Sequence, residues 1–350
     1  MKTIPFHLII PVLALLLANS AIAKEIQGKC GMGRDYWLYL PDRIDPDKTY
    51  TLVVGVHGAR GKGKGAAGHA NWIKEYDVIV LGPSYPHNGF QYLYQDSDKQ
   101  TIELFKMLKK EYKLHDKLFI VGFSGGSQYA HRFAMKYPDL VAGCAAHSGG
   151  TWATGDYPRG EVPNPEARGV VFTISCGEND TKKSFKEAPF GRLEWAKRYE
   201  KVLDEGGFVY DAKWWPGVGH SYAKGARQQS VDCFFAATQL LPGLEEEADQ
   251  IDKLLNANGF EDAWSLLRKR QHEARVHGQG IIGRVLERYL ESRSSAIELI
   301  DRWAQHQVQL AVRDNHDPQA LAGALRRLKS AYKGLPGATE SIASELAKLE

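Results

Sequence analysis

The chain has 350 residues, 43% of them hydrophobic and 25% charged, an ordinary globular composition with room for one large domain and a smaller one. A formal charge of +3 is too slight to suggest a nucleic-acid partner, and none is expected. The cysteines lack Cys-x-x-Cys spacing, and neither His-Glu-x-x-His nor an acidic calcium loop occurs, so no metal and no cofactor are expected.

Residues 1–23 read as a secretory signal peptide. Lys2 gives a positive start, Leu8 to Ala18 an apolar core, and Ala21-Ile22-Ala23 a small-residue cleavage site. That run is too short for a stable bilayer span, so the expectation is export to a periplasm or beyond, without membrane insertion. Gln27-Gly28-Lys29 before Cys30 does not form a lipid-attachment signal. Export permits disulfides, and Cys30, Cys144, Cys176 and Cys233 allow three full pairings, which spacing does not decide. Cys144 and Cys176 lie in apolar strand-like runs, where a buried free thiol is an equal alternative.

Next comes an aromatic strand at Arg34–Leu40, ended by Pro41-Asp42, and an apolar strand at Tyr50–Val56. The latter runs into a glycine-rich loop from His57 to Gly65. A short strand follows at Asp77–Leu81, and helical spacing at Ser97–Tyr112. The strand Leu118–Val121 stops at Gly122, and helical spacing resumes after Gly126 until Pro138. Strands at Leu140–Ala146, Gly169–Cys176 and Phe208–Trp214 then alternate with helices at Leu193–Asp204 and Ala226–Leu241. This alternation predicts an α/β fold, a mostly parallel sheet with helices on both faces and the working site off the strands' carboxyl ends.

The composition changes at Leu241-Pro242-Gly243, dividing a catalytic domain (residues 24–242) from an all-α C-terminal region (residues 243–350). Ile282, Leu286, Tyr289, Ile297, Ile300, Trp303 and Val308 predict one long amphipathic helix there. Shorter helices are expected at Ala248–Ala257, Glu261–Arg275, Pro318–Tyr332 and Ala338–Leu349. The region's charges are mixed, so neither DNA nor an anionic membrane is implied as a partner. It reads as an appendage packed on the main domain; a module for a protein or polymer partner is the alternative.

The chemistry centres on Gly122-Phe123-Ser124-Gly125-Gly126, a G-x-S-x-G pattern between strand and helix that fits a nucleophile elbow. A serine needs a base to take its proton and an acid to orient that base. In strand-end loops downstream, Asp180 and then His220 follow in the order nucleophile, acid, base; Glu178 is the rival acid. The oxyanion hole is assigned to the backbone N–H groups of Gly125 and Ala59. His57 reads as a loop residue at the substrate site rather than a second base, and Trp152 and Trp215, with Trp214, are candidates to line an acyl or aromatic pocket. Ser148 in His147-Ser148-Gly149-Gly150 lacks a turn-to-helix signature.

The loop Gly58–Gly65 nearly spells the phosphate-binding pattern G-x-x-x-x-G-K-[ST], but Gly65 offers no hydroxyl for magnesium. Its Lys62 and Lys64 instead raise the expectation of an anionic group on the substrate.

From about Arg34 to Leu241 the chain resembles α/β-hydrolases of the polyhydroxybutyrate depolymerase and feruloyl esterase type. The stretches that carry the likeness are Arg34–Pro41, His57-Gly58, Val121–Gly126, Tyr137-Pro138-Asp139-Leu140, Cys176–Asp180 and Trp215-Pro216-Gly217-Val218-Gly219-His220. The resemblance implies cofactor-free hydrolysis of an ester substrate at Ser124, His220 and Asp180. Many relatives carry His-Gly where this chain has Cys176-Gly177, and the helical region has no counterpart among them. The alternatives are a serine peptidase with the same triad and a non-catalytic secreted binding protein on a hydrolase scaffold.

Overall fold

Apolar runs rich in Val, Ile, Leu and Phe become strands where both faces of a sheet are covered. In the computed structural model, which describes residues 24–87, 89–155 and 163–349, eight strands form one sheet. The strands are β1 (Lys24–Lys29), β2 (Asp35–Leu40), β3 (Thr51–Val56), β4 (Val78–Pro83), β5 (Leu118–Phe123), β6 (Val141–His147), β7 (Val171–Gly177) and β8 (Val209–Trp215). Their order is β1-β2-β4-β3-β5-β6-β7-β8. β2 is antiparallel to both of its neighbours, and every pairing from β4 to β8 is parallel. This is the α/β-hydrolase architecture that the resemblance implies. The proposed signal peptide lies outside the described residues.

Because side chains alternate along a strand, each central strand feeds two cores. Leu52, Val54, Ile79, Leu81 and Ile120 point into one layer, under helices α1 (Ser97–Glu111), α2 (Gly125–Lys136) and α3 (Arg192–Glu205). Val53, Val78, Val80, Phe119 and Val121 point into the other. There they meet Ala66 and Trp72 of a 3₁₀-helical segment, Gly63–Lys74, and Cys233 and Phe234 of α4 (Lys224–Phe235). The glycine-rich stretch His57–Gly65 reads as loop alone in the sequence; its last three residues, Gly63–Gly65, start this 3₁₀ segment. β1 was not expected either. It is an exposed edge strand with Ile26 as its apolar residue, and its charges suit an edge that must not pair with another chain.

The composition change at Leu241-Pro242-Gly243 falls inside a helix rather than at a break. α4 runs through a π turn, Ala236–Leu240, directly into α5 (Leu241–Asn256). Such a widened turn accommodates a residue like Pro242, which has no N–H to donate and crowds the carbonyl one turn back. Beyond α5 come α6 (Phe260–His277), α7 (Ile281–Ser292), α8 (Ser294–Asp314), α9 (Pro318–Ala331) and α10 (Pro336–Ala347). The single long helix expected over 282–308 is thus two, meeting at Arg293. There the Ser292 hydroxyl donates to the Tyr289 carbonyl at 2.7 Å, a bond that competes with the backbone ladder.

The helical region is not a separate bead. Leu244, Ile251, Trp264, Leu286 and Ile300 join the same buried cluster as Val53 and Phe119. Within it, Arg270 of α6 donates to Glu247 of α5 from Nη2 at 2.7 Å and Nε at 3.0 Å, and the Tyr289 hydroxyl of α7 reaches the same carboxylate at 3.2 Å. Glu247 is buried, and removing it leaves the half-buried Arg270 with Glu273 alone, at 2.6 Å, and the Tyr289 hydroxyl without its acceptor, at a cost of about 2 kcal/mol. Glu247→Ala should lower unfolding stability by that order in urea denaturation; a change under ~0.5 kcal/mol would show that the pair does not tie α5, α6 and α7 together.

Candidate active site

The elbow forms because strand β5 must reverse into α2 within one residue. Ser124 takes φ 57° and ψ −119°, a conformation that costs a non-glycine residue roughly 1–3 kcal/mol. Its N–H is tied to the His147 carbonyl at the end of β6, at 2.9 Å. Gly126 lets the new helix pass the end of β3: a Cβ there would meet the Val56 carbonyl oxygen at 2.2 Å. The strained turn leaves the Ser124 side chain at the carboxyl end of the sheet, half-buried.

His220 and Asp180 arrive from the loops after β8 and β7, which are bound to each other. Glu178 N–H donates to the Trp215 carbonyl at 3.0 Å and Asn179 N–H to that of Val218 at 2.9 Å. The loops approach so closely that a Cβ on Gly177 would lie 2.2 Å from the Val218 oxygen. The result is a continuous chain: His220 Nε2 lies 3.0 Å from Ser124 Oγ, and His220 Nδ1 lies 2.8 Å from Asp180 Oδ2. A carboxylate only accepts, so Nδ1 carries the proton and Nε2 is left as the base toward the serine hydroxyl.

Burial separates the two candidate acids. Asp180 is 2% exposed, whereas Glu178 points to solvent. The Asp180 carboxylate is also held from behind. Arg192, at the start of α3, reaches its Oδ1 at 3.4 Å, and the Cys176 thiol reaches Oδ2 at 3.7 Å. Burial, followed by the Asp180 charge, pushes the Cys176 thiol up to about 12, so it remains protonated and serves as a weak donor. All four cysteines are buried free thiols.

The residues assigned to the oxyanion hole adjoin one another. Gly125 is the first residue of α2, where backbone N–H groups and the helix dipole favour an anion, and a Cβ built on it would lie 3.0 Å from Ala59 N. The glycine-rich loop is not a phosphate cradle. Gly61 N–H is spent on Gly58 O, Gly65 N–H on Lys62 O and Gly63 N–H on the Ser84 hydroxyl.

Three sequence expectations change. His57 has no free ring nitrogen for substrate: Nδ1 donates to Gly58 O at 2.8 Å, and Nε2 accepts the Tyr85 N–H at 3.0 Å. Burial also lowers its pKa, so it is a neutral clamp on the oxyanion loop. Trp152 is fully buried between the rings of His131 and Tyr199, and therefore lines no pocket. Trp215 is half-buried and lies over Gly225 at the start of α4. Ser148, also at positive φ, sits with its hydroxyl against the Cys176 thiol.

The aromatic residues that do flank the site are Phe123 and Tyr222. The Phe123 ring packs 5.0 Å from that of His220 and 5.8 Å from that of Tyr222. Their places were visible in the sequence, one residue before the nucleophile and two after the base, but periodicity carries no information about which way a loop residue turns. A larger cavity, about 720 Å³, lies at the other end of the strands beside Val171, Val209, Leu244 and Val285, and holds no triad residue.

No family model matches the chain, and no curated protein sequence matches it. Among solved structures it is similar to a ferulic acid esterase from Anaeromyces mucronatus, at 20% identity and TM-score 0.46, over 57% of this chain and 85% of that one. It is also similar to poly(aspartic acid) hydrolase-1 from Sphingomonas sp. KT-1, at 23% identity and TM-score 0.46, over 59% and 96% of the two chains. A third is S-formylglutathione hydrolase from Staphylococcus aureus, at 16% identity and TM-score 0.46, over 63% and 98%.

Cys176 provides a check on the packing behind the acid. Iodoacetamide at pH 8 should leave the Cys176 peptide unmodified in the native protein and alkylate it after unfolding, as read by peptide mass mapping. Rapid native modification would mean that the space behind Asp180 is open.

Proposed function

We propose that this chain is a serine hydrolase that cleaves carboxylic esters through an acyl-enzyme at Ser124. The observation that carries the reading is the unbroken hydrogen-bond chain from Ser124 Oγ through His220 to the buried Asp180, beside the adjoining backbone of Gly125 and Ala59. Nε2 of His220 takes the serine proton as Oγ attacks the ester carbonyl. The oxyanion that forms is met by the N–H groups of Gly125 and Ala59. His220 then returns the proton to the departing alcohol, and water, deprotonated by the same imidazole, releases the acid. Asp180 keeps Nδ1 protonated and stabilises the imidazolium; it does not itself change protonation. The residue-level resemblance to polyhydroxybutyrate depolymerases and feruloyl esterases supports esters over peptides.

Short 4-nitrophenyl esters should be turned over, and peptide anilides should not; cleavage of anilides alone would make the chain a peptidase. Ser124→Ala should lower ester turnover by ~10³-fold or more, since the members of a triad act as a unit. It should also abolish labelling by a fluorophosphonate probe. Wild-type protein that takes no label would instead be a binding protein on a hydrolase scaffold.

A further inference from the structure

The catalytic end of the sheet holds a feature that the triad leaves unused. A cavity of about 580 Å³ opens between the 3₁₀ segment Gly63–Lys74 and the start of α4. It begins one residue from the nucleophile, since Gly122 and Phe123 of the elbow form part of its wall and Gly58 another part. A Cβ on Gly58 would lie 3.8 Å from that of Ser124. Tyr222, two residues past His220, closes the same side, while Trp72 and Ala66 give the cavity an apolar floor.

Two cations line this space, Lys62 and Arg227. Among the described residues, neither side chain has an ion-pair or hydrogen-bond partner. Lys64, the other lysine of the loop, is different: it pairs with Glu25 of β1 at 3.7 Å. The cavity also has one carboxylate, Glu75, which acts on Tyr76 together with Asp232. Arg227 acts instead on His69 and Tyr222, the side nearer the catalytic histidine. Burial, and then Arg227, hold His69 down to about 4, so it adds no charge of its own near neutral pH. The cavity wall therefore carries two positive charges, on the solvent-exposed Lys62 and Arg227, against the one carboxylate of Glu75.

We infer that this cavity takes the anionic part of the substrate: an ester bearing a carboxylate in its acyl or alcohol portion, held by Lys62 and Arg227 while the scissile carbonyl sits at Ser124. Charge-assisted hydrogen bonds from ammonium and guanidinium to carboxylate are about twice as strong as neutral ones, which gives the preference its physical basis. The inference rests on the serine hydrolase reading above and adds the class of substrate.

Two matched substrate pairs test it. 4-Nitrophenyl hydrogen adipate against 4-nitrophenyl hexanoate probes an acyl-side carboxylate; 4-carboxyphenyl butyrate against 4-acetylphenyl butyrate probes an alcohol-side one. In one pair kcat/KM should favour the anionic member by about tenfold at low ionic strength. That ratio should shrink as salt is added, and fall about tenfold in the double variant Lys62→Gln/Arg227→Gln. A ratio at or below one in both pairs, or a ratio that the double variant leaves unchanged, overturns the inference. An unfolding midpoint matched to that of the wild type certifies that the double variant is folded before its ratio is read. Fluorophosphonate labelling of the same samples separates the two levels: labelled Ser124 with no charge preference overturns this inference alone, and unlabelled wild type overturns both readings.

Discussion

The turn at Ser124 is the constraint around which the molecule is built. A non-glycine residue is held at φ 57° between the last residue of β5 and the first of α2. Such strain persists only when its surroundings over-determine it. Here the amide is anchored on β6, the helix start is pressed against the end of β3, and β5 lies between those two strands. The central position of β5 is thus a requirement of the elbow as well as of the core. The two apolar layers above and below the sheet supply the rigidity that holds it.

The same economy governs the other triad members. β7 and β8 are neighbours, so their terminal loops bond to each other before either serves the site. Asp180 is carried down among Arg192 and Cys176, out of water, while His220 stays partly open beside Phe123. Depth and exposure suit the proposed roles: a buried carboxylate holds the imidazole in place, and a base must be open to the substrate. The C-terminal helices contribute from the far face. By extending the cluster under α4, they support the element that carries Arg227 and the wall of the cavity beside the nucleophile.

Much of this was legible in the sequence, and the exceptions share a cause. Strands β3 to β7 were readable because continuous apolar runs between turn residues leave few alternatives, and the convergence of Asp180 and His220 on Ser124 was readable because chain order and loop position constrain it. β1 escaped because an edge strand of mostly polar residues has no apolar period. The helix through Pro242 escaped because a π turn can absorb a proline that local rules treat as a stop. Trp152 and His57 were placed in the right region with the wrong surroundings. Whether a loop tryptophan faces a pocket or the core is decided by partners distant in sequence, such as His131 and Tyr199, and no local pattern encodes them.

The proposed reaction turns on a covalent bond at Ser124, and trapping the acyl-enzyme detects that bond itself. The protein is mixed with a slowly deacylating ester, quenched in acid within the first turnover and digested for peptide mass mapping. One acyl adduct per chain is expected, on the peptide containing Ser124, and it should be lost in Ser124→Ala. An adduct on the peptide containing Ser148, or product formed with no adduct at any serine, would contradict the proposed reaction.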